Sequence, residues 1–552
     1  LAAILPAIIH KVTSIFSFPQ LKKYVIISAT YYIYMYKRAF LHFLQSHWGI
    51  IAIGICAIFL YTFRLNSIPF AFHGDEGETA TQAVRVIHAG FPVIGVGWFD
   101  LPIASFIPHA LTILLFGATK AGDRMGSVIF SLALIPLYYL LLLRIYNKTT
   151  SLIATVLLAS SHLWIALSRL GITYVQATFL LLSCLFFLDV GLRKKHPNFV
   201  AITVAGICCG LCFYSYYAAR ITPFIAVPFF FLFLKKETLV SWLIGLFLFM
   251  CAAGAIFLPQ GLYYLNHPAS FSSRTNTVYI FSPTGRAWTK YEYQGKTDAQ
   301  ILESQFLRSI NPFAGDNSGQ YGYKGQLLDY VTITLFFLGI LTVMYKRNLF
   351  SLFLFYWFFL TIVIGQTLTT VPSPVFLPRL VVGLPALFAL CATGLVSVVT
   401  YVKRLAGKAH WLPMTVSGII LLIIISINIY TYFILYPSQQ LAHIAGDPNA
   451  LAATKISSYL NSKPEFQSIF LTAPFLNIPY GPFDYLASQR SKVIVDNASE
   501  YPIPQFLTKT IFVLYPQYAN RLQDIETAYP RGKLTTVKSI TGDVEYYLFV
   551  VN

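Results

Sequence analysis

Apolar runs of about 20 residues recur along most of the chain, separated by short basic clusters, and such runs are long enough for an α-helix to cross a bilayer. Read this way, the sequence predicts spanning helices near 48–64, 126–144, 150–168, 171–190, 198–216, 221–234, 238–257, 327–345, 349–367, 380–401 and 411–433. Basic clusters follow or divide them at Arg144/Lys148, Arg193/Lys194/Lys195, Lys235/Lys236, Lys346/Arg347 and Lys403/Arg404/Lys408. With a cytosolic N-terminus every one of these clusters falls on the cytosolic side, as the bias of Lys and Arg toward cytosolic loops requires. One further apolar run, Ala104 to Ala118, breaks that alternation if it crosses. It is short and holds Pro108 and His109, so it reads as a helix at the outer surface or re-entering within protein, the alternative being that it spans. The expected architecture is a polytopic α-helical membrane protein of about 11 to 13 spans.

Between and after these runs lie three regions of a different character. Residues 1–47 carry Lys11, Lys22, Lys23, Lys37 and Arg38 and read as a basic, amphipathic N-terminal arm. The transmembrane domain is expected over 48–433, with outer loops 65–125 and 258–326. Residues 434–552 read as a soluble extracytoplasmic α/β domain. Asp447-Pro448 caps a helix over 448–461, and β-rich runs follow at Ser468–Thr472, Lys492–Val495, Thr510–Leu514 and Val544–Val551. Asn497-Ala498-Ser499 is a formal glycosylation sequon in this region.

Composition agrees with the hydropathy pattern. Of 552 residues 56% are hydrophobic and 11% charged, and the mean hydropathy is +0.64, outside the range of a soluble enzyme. The net charge of +18 does not point to nucleic acid, because the cations sit between apolar runs, where anionic lipid accounts for them. All seven cysteines lie in apolar segments, so neither a disulfide framework nor a thiolate metal site is expected. Gly295-Lys296-Thr297 resembles the end of a P-loop, but position 290 is Lys and no strand precedes it.

The chemistry is expected in the run Phe72-His73-Gly74-Asp75-Glu76-Gly77-Glu78, just beyond the first apolar stretch. Carboxylates are costly in hydrocarbon and inexpensive at its edge, so an acidic cluster leaving the bilayer is a natural site for catalysis. The same face collects Arg169, Arg220, His267, Arg274, Gln366 and Arg379. Any one arginine at that depth reads equally as a headgroup anchor. Several arginines beside a carboxylate pair can clamp a phosphate whose apolar tail stays in the bilayer. Tyr217 beside Arg220 lines a sugar or isoprenoid path or belongs to the interfacial aromatic belt. The bland reading of Asp75, Glu76 and Glu78 is a set of solvated loop acids.

These residues together resemble the polytopic GT-C glycosyltransferases, in the branch holding protein O-mannosyltransferases and aminoarabinose transferases. The resemblance is carried by Asp75-Glu76 after the first span, Ala83, Gly90 and Pro92 downstream, Arg124, Ser168-Arg169, the run Tyr214 to Arg220, and Pro372 through Arg379. It implies an inverting glycosyltransferase that moves a monosaccharide from a polyprenyl-phosphate donor to a glycan, lipid or protein acceptor on the extracytoplasmic face. Asp75 and Glu76 are then the catalytic pair, and Arg220, Arg379 and Arg169 the donor-phosphate contacts. His73, Tyr217, His267, Arg274 and Gln366 are further substrate-site candidates. A divalent metal ion, held by Asp75 or Glu76 if at all, stays open. The rival readings are a transporter or flippase of a lipid-linked or small polar substrate, and a non-catalytic envelope assembly protein.

Overall fold

The computed structural model describes residues 47–194, 196–234, 238–369, 377–407, 409–471, 481–487, 492–495, 503 and 509–552. The expected basic arm before residue 47 and the sequon at Asn497 lie outside them. The chain divides into two compact units, Leu1–Cys56 and Ala57–Asn552. All that is described of the first is the beginning of an apolar helix, His47–Thr62.

The protein is multi-pass and α-helical, but the expected count of about 11 to 13 spans is not met. Among the described residues six helices are long and apolar enough to cross a membrane: Lys120–Ile145, Tyr174–Leu192, Leu239–Asn266, Leu349–Thr367, Leu377–Leu405 and Leu412–Leu441. A seventh arises only if Lys148–Ser160 and His162–Ser168, bent by 61° at Ser161, are taken as one span. The other apolar helices, His47–Thr62, Ile103–Phe116, Phe199–Tyr214, Tyr217–Phe231 and Tyr330–Lys346, hold 10–17 residues. At 1.5 Å per residue these reach at most about 25 Å, short of the roughly 30 Å hydrocarbon core. The physical reason for the overcount is that an apolar run need not be α-helical to its ends, so runs of spanning length hold shorter helices such as Phe199–Tyr214 and Tyr217–Phe231. The expected spans 198–216 and 221–234 each include part of a segment where the helix tightens to 3-10 turns around Ser215 and Tyr216.

Two devices hold the bundle. Gly339 and Gly394 let helices Tyr330–Lys346 and Leu384–Leu405 touch backbone to backbone, since a Cβ on either would lie 2.0 Å from a carbonyl oxygen of the other helix, the close approach that small residues allow in membranes. Asn428 ties down the bent segment: its Oδ1 accepts from His162 N at 2.9 Å and pairs with His162 Nδ1 at 2.8 Å. The first of these satisfies an amide that the break at Ser161 frees.

The C-terminal region is α/β, as expected. Helix Pro448–Asn461 starts on the Asp447 cap. The strands are β1 (Gln467–Leu471), β2 (Lys492–Val495), β3 (Thr510–Leu514), β4 (Lys533–Lys538) and β5 (Val544–Val551), in the order β2-β1-β3-β5-β4. The β1 pairings with β2 and β3 are parallel, and those of β5 with β3 and β4 antiparallel. Central β3 is buried along its whole length and packs with Ile456, Leu460 and Phe549.

This domain seats on the acidic segment. A Cβ on Gly77 would lie 2.0 Å from Pro482 N, and one on Gly481 would lie 2.4 Å from Glu78 N. Phe72 stacks on Tyr485 at 5.6 Å, and its amide donates to Thr454 Oγ1 at 2.9 Å. Gly77→Val should therefore push helix Gly481–Leu486 away and lower stability by about 1–3 kcal/mol, read as a drop in Tm of the detergent-purified protein. An unchanged Tm would show that the contact is easily shed.

Candidate functional site

Residues Gly74–His88 form a helix, so Asp75 and Glu76 stand in a first helical turn and not on the expected loop. The physical reason is a capping box: His73 Nδ1 accepts from Asp75 N at 3.1 Å, while Glu76 Oε2 accepts from His73 N at 2.8 Å. That reciprocal pair fixes the start of the helix despite two glycines in its first turn.

The two acids then part company. Glu76 is fully buried. Its Oε1 takes Arg124 Nε at 2.8 Å and Gly171 N at 2.9 Å, and its Oε2 takes Arg124 Nη2 at 3.1 Å besides His73 N. The remaining Arg124 donors go to the carbonyls of Leu65, Pro69 and Ala71 at 2.9 to 3.0 Å, so all five guanidinium N–H groups are used. Burial raises the Glu76 pKa, but the Arg124 charge and the donated hydrogen bonds outweigh it and hold the carboxyl below its ordinary range. Asp75 is half-buried and turned the other way. Its Oδ2 accepts from Tyr174 OH at 3.0 Å and Tyr321 OH at 2.7 Å. Burial first, and the neighbouring Asp75 second, push the Tyr321 phenol well above its usual pKa, so it stays a donor at neutral pH.

Asp75 lines a cavity of about 350 Å³ with Trp98, Phe99, Tyr174, Gln320 and Tyr321. A second cavity of about 440 Å³ has mostly apolar walls, among them Ile221, Phe224, Ile364, Leu368 and Val382, and holds Arg220. Tyr216, Tyr217, Arg274, Val278 and Arg379 line both, so the two spaces share one wall. Arg220 is fixed by Phe271 O at 3.0 Å and stacks on Tyr217 at 4.6 Å. Arg379 Nη1 donates to Thr369 Oγ1 at 2.6 Å. Burial pushes the Tyr216 phenol up to about 12, with Arg379 and Arg274 opposing.

Of the expected site residues, Asp75, Tyr217, Arg220, Arg274 and Arg379 thus come together around the two adjoining cavities. His73 caps the helix and lies 4.7 Å from the Tyr321 ring. Arg169 lines neither cavity and is buried, donating to the carbonyls of Leu60, Phe63 and Ile68 at 2.7 to 2.8 Å. His267 stacks on Tyr263 at 4.3 Å, and Gln366 is buried; neither lines either cavity. Among the described residues no group of three or more His, Cys, Asp or Glu is arranged to hold a metal ion. Tyr174, Tyr321, Trp98 and Phe99 went unread, because single aromatic residues in an aromatic-rich chain carry no local signal.

The turn bearing Trp98 and Phe99 is strained. Phe99 (φ 62°) and Asp100 (φ 54°) occupy the left-handed region consecutively, at a cost of roughly 1–2 kcal/mol for Phe99 and less for Asp100, whose short polar side chain tolerates it.

The protein family described as dolichyl-phosphate-mannose-protein mannosyltransferase matches residues 100–263. The undecaprenyl phosphate-alpha-4-amino-4-deoxy-L-arabinose arabinosyl transferases of Pseudomonas savastanoi pv. phaseolicola and Pseudomonas aeruginosa are 27% and 28% identical to this chain over 188 and 190 residues. Those matches cover 32% of this chain and span 34% of the length of each of these curated relatives. Crystal structures of ArnT from Cupriavidus metallidurans, in the apo state and bound to undecaprenyl phosphate, share the fold with TM-scores of 0.55 and 0.54 at 12% and 14% identity. They cover 92% and 91% of this chain and 98% of each of theirs. The expected resemblance is met by the family match over residues 100–263 and by the fold shared with ArnT.

Proposed function

We propose that the protein is an inverting glycosyltransferase that takes a sugar from a polyprenyl-phosphate donor. The observation that supports this best is the shared wall: a carboxylate faces one cavity, and across Arg274 and Arg379 lies a second, mostly apolar cavity fit for a lipid tail. The donor's prenyl chain lies along the apolar space and its phosphate meets Arg220, Arg274 and Arg379. The sugar then projects toward Asp75. The acceptor nucleophile attacks the anomeric carbon from the face opposite the phosphate and gives its proton to Asp75. The glycosidic C–O bond breaks, and its electron pair leaves on the polyprenyl phosphate, whose charge the arginines neutralise. Glu76, locked onto Arg124, acts through the helix and holds Asp75 in place.

The reaction belongs on the extracytoplasmic side. Three helices carry site residues at one end and the basic clusters at the other: Arg124 and Arg144, Tyr174 and Arg193, Arg379 and Lys403/Arg404. Twenty helical residues separate such ends by about 30 Å, and the positive-inside bias puts the basic ends in the cytosol.

Reconstituted protein given radiolabelled polyprenyl-phosphate sugars should release polyprenyl phosphate and label an acceptor. Movement of intact donor across the bilayer without release would instead make it a flippase. Within this mechanism Arg220→Ala and Arg379→Ala should each lower kcat/KM by roughly 10²-fold, with weaker donor binding. Undiminished turnover in either would remove that arginine from the phosphate site.

A further inference from the structure

The turn at residues 95–102 is held in its unfavourable backbone from several directions. Gly97 N donates to Leu101 O at 2.8 Å, Asp100 N to Gly97 O at 3.1 Å, and Val96 bridges to Pro102. Buried Gln260 exchanges two hydrogen bonds with Gly95, 3.1 Å from its amide and 3.3 Å to its carbonyl. Tyr217 OH donates to Phe99 O at 2.6 Å, and the Arg274 guanidinium lies 4.6 Å from the centre of the Phe99 ring. Glycine would adopt this conformation without strain, yet phenylalanine stands there, with half of its surface exposed. Strain that the surroundings enforce at a cavity wall marks a position whose side chain is wanted.

What the turn delivers is a pair of aromatic rings, Trp98 and Phe99 with centroids 5.0 Å apart, on the wall of the cavity that Asp75 lines. The same cavity is also lined by hydroxyls and an amide, those of Tyr174, Tyr216, Tyr321 and Gln320. An aromatic face beside hydrogen-bonding groups suits a ligand with one apolar face and a polar edge. The chemistry that fits is a pyranose, whose axial C–H groups pack on one face of the tilted ring pair while its hydroxyls meet the hydrogen-bonding groups. Resting on the transferase reading above, we infer that the strained Trp98–Phe99 turn is a stacking platform for a sugar ring. Arg274 touches Phe99 and also lines the apolar cavity, so a phosphate held there sets an attached sugar over the platform. The ring it receives belongs to the donor or to a glycan-bearing acceptor, and the two sources are separable.

The test uses full-length protein in nanodiscs with three probes: bare undecaprenyl phosphate, undecaprenyl-phosphate-mannose, and octyl mannoside as a membrane-borne pyranose without phosphate. Phe99→Gly relieves the backbone strain while deleting the ring, so Tm should hold or rise. Affinity for bare undecaprenyl phosphate should stay within about twofold, whereas affinity for a pyranose-bearing probe should fall about tenfold. Trp98→Leu should show the same selective loss, and Asp100→Gly, which relieves strain without touching a ring, should raise Tm and leave all three affinities alone. Loss confined to undecaprenyl-phosphate-mannose assigns the platform to the donor sugar, and loss confined to octyl mannoside assigns it to the acceptor. Unchanged affinity for both sugar probes overturns the platform and leaves an interfacial anchor, with the transferase reading intact. Failure of the unsubstituted protein to bind undecaprenyl phosphate would defeat that reading and the platform with it.

Discussion

Asp75→Asn should leave a protein that inserts, folds and binds donor, yet transfers sugar about 10²- to 10⁴-fold more slowly, the range set by loss of a general base. The substitution is nearly isosteric. The amide oxygen still accepts from Tyr174 or Tyr321, so the local hydrogen bonds survive, but an amide cannot take the acceptor's proton at neutral pH. Both tyrosines reach the same carboxylate oxygen, Oδ2, which leaves Oδ1 for the acceptor. Single-turnover release of radiolabelled polyprenyl phosphate, with donor affinity measured in parallel, separates the chemical step from binding. Full transfer activity in Asp75→Asn would show that the proton goes elsewhere. A parallel fall in donor affinity would show that the charge of Asp75 serves binding and not proton transfer.

The sequence makes the acid and several arginines legible for a simple reason: charged residues are few in so apolar a chain, and each must justify its place at the membrane edge. Partnership is another matter. Tyr174 and Tyr321 stand 99 and 246 residues from Asp75, and no periodicity records a contact made by a fold. The same holds for Glu76, whose adjacency to Asp75 invites a shared role until Arg124, 48 residues on, is found holding it. Arg169 looks like a phosphate ligand from its position alone, whereas its donors close the carbonyls left open at the end of helix His47–Thr62 and the turn beyond it. In the C-terminal domain β4 escapes the apolar reading because it is an edge strand with lysines at both ends and mostly exposed residues, the usual guard against edge pairing. Span counting fails for a physical cause as well, since hydrophobicity persists where the α-helix has ended or, at Ser161, where its axis turns by 61°.

Removing Arg124 should be the most damaging single change to stability, because it strands a carboxylate that has no water to turn to. Breaking one partner out of a buried ion pair costs about 3–5 kcal/mol, and Arg124→Met also frees the carbonyls of Leu65, Pro69 and Ala71 that shape the entry to the acidic helix. The pH dependence identifies the cause. In the unsubstituted protein the Glu76 carboxyl is held below its ordinary value. Its contribution to stability is complete above the unfolded pKa of about 4.3 and is lost as pH falls through the lower folded value. In Arg124→Met burial, the largest influence, favours the protonated acid and is opposed only by the amides of His73 and Gly171. The sign then reverses: acidification from pH 7 toward 5 should stabilise the variant relative to the unsubstituted protein, as Glu76 takes up a proton. The double variant Glu76→Gln/Arg124→Met, with both members of this ion pair neutralised, should recover part of the loss and show neither trend. Thermal unfolding of the three proteins in detergent at pH 7, 5 and 3.5 measures this directly. Parallel profiles for Arg124→Met and the unsubstituted protein would mean that Glu76 does not carry its charge against Arg124, and the account of how Asp75 is held would fall with it.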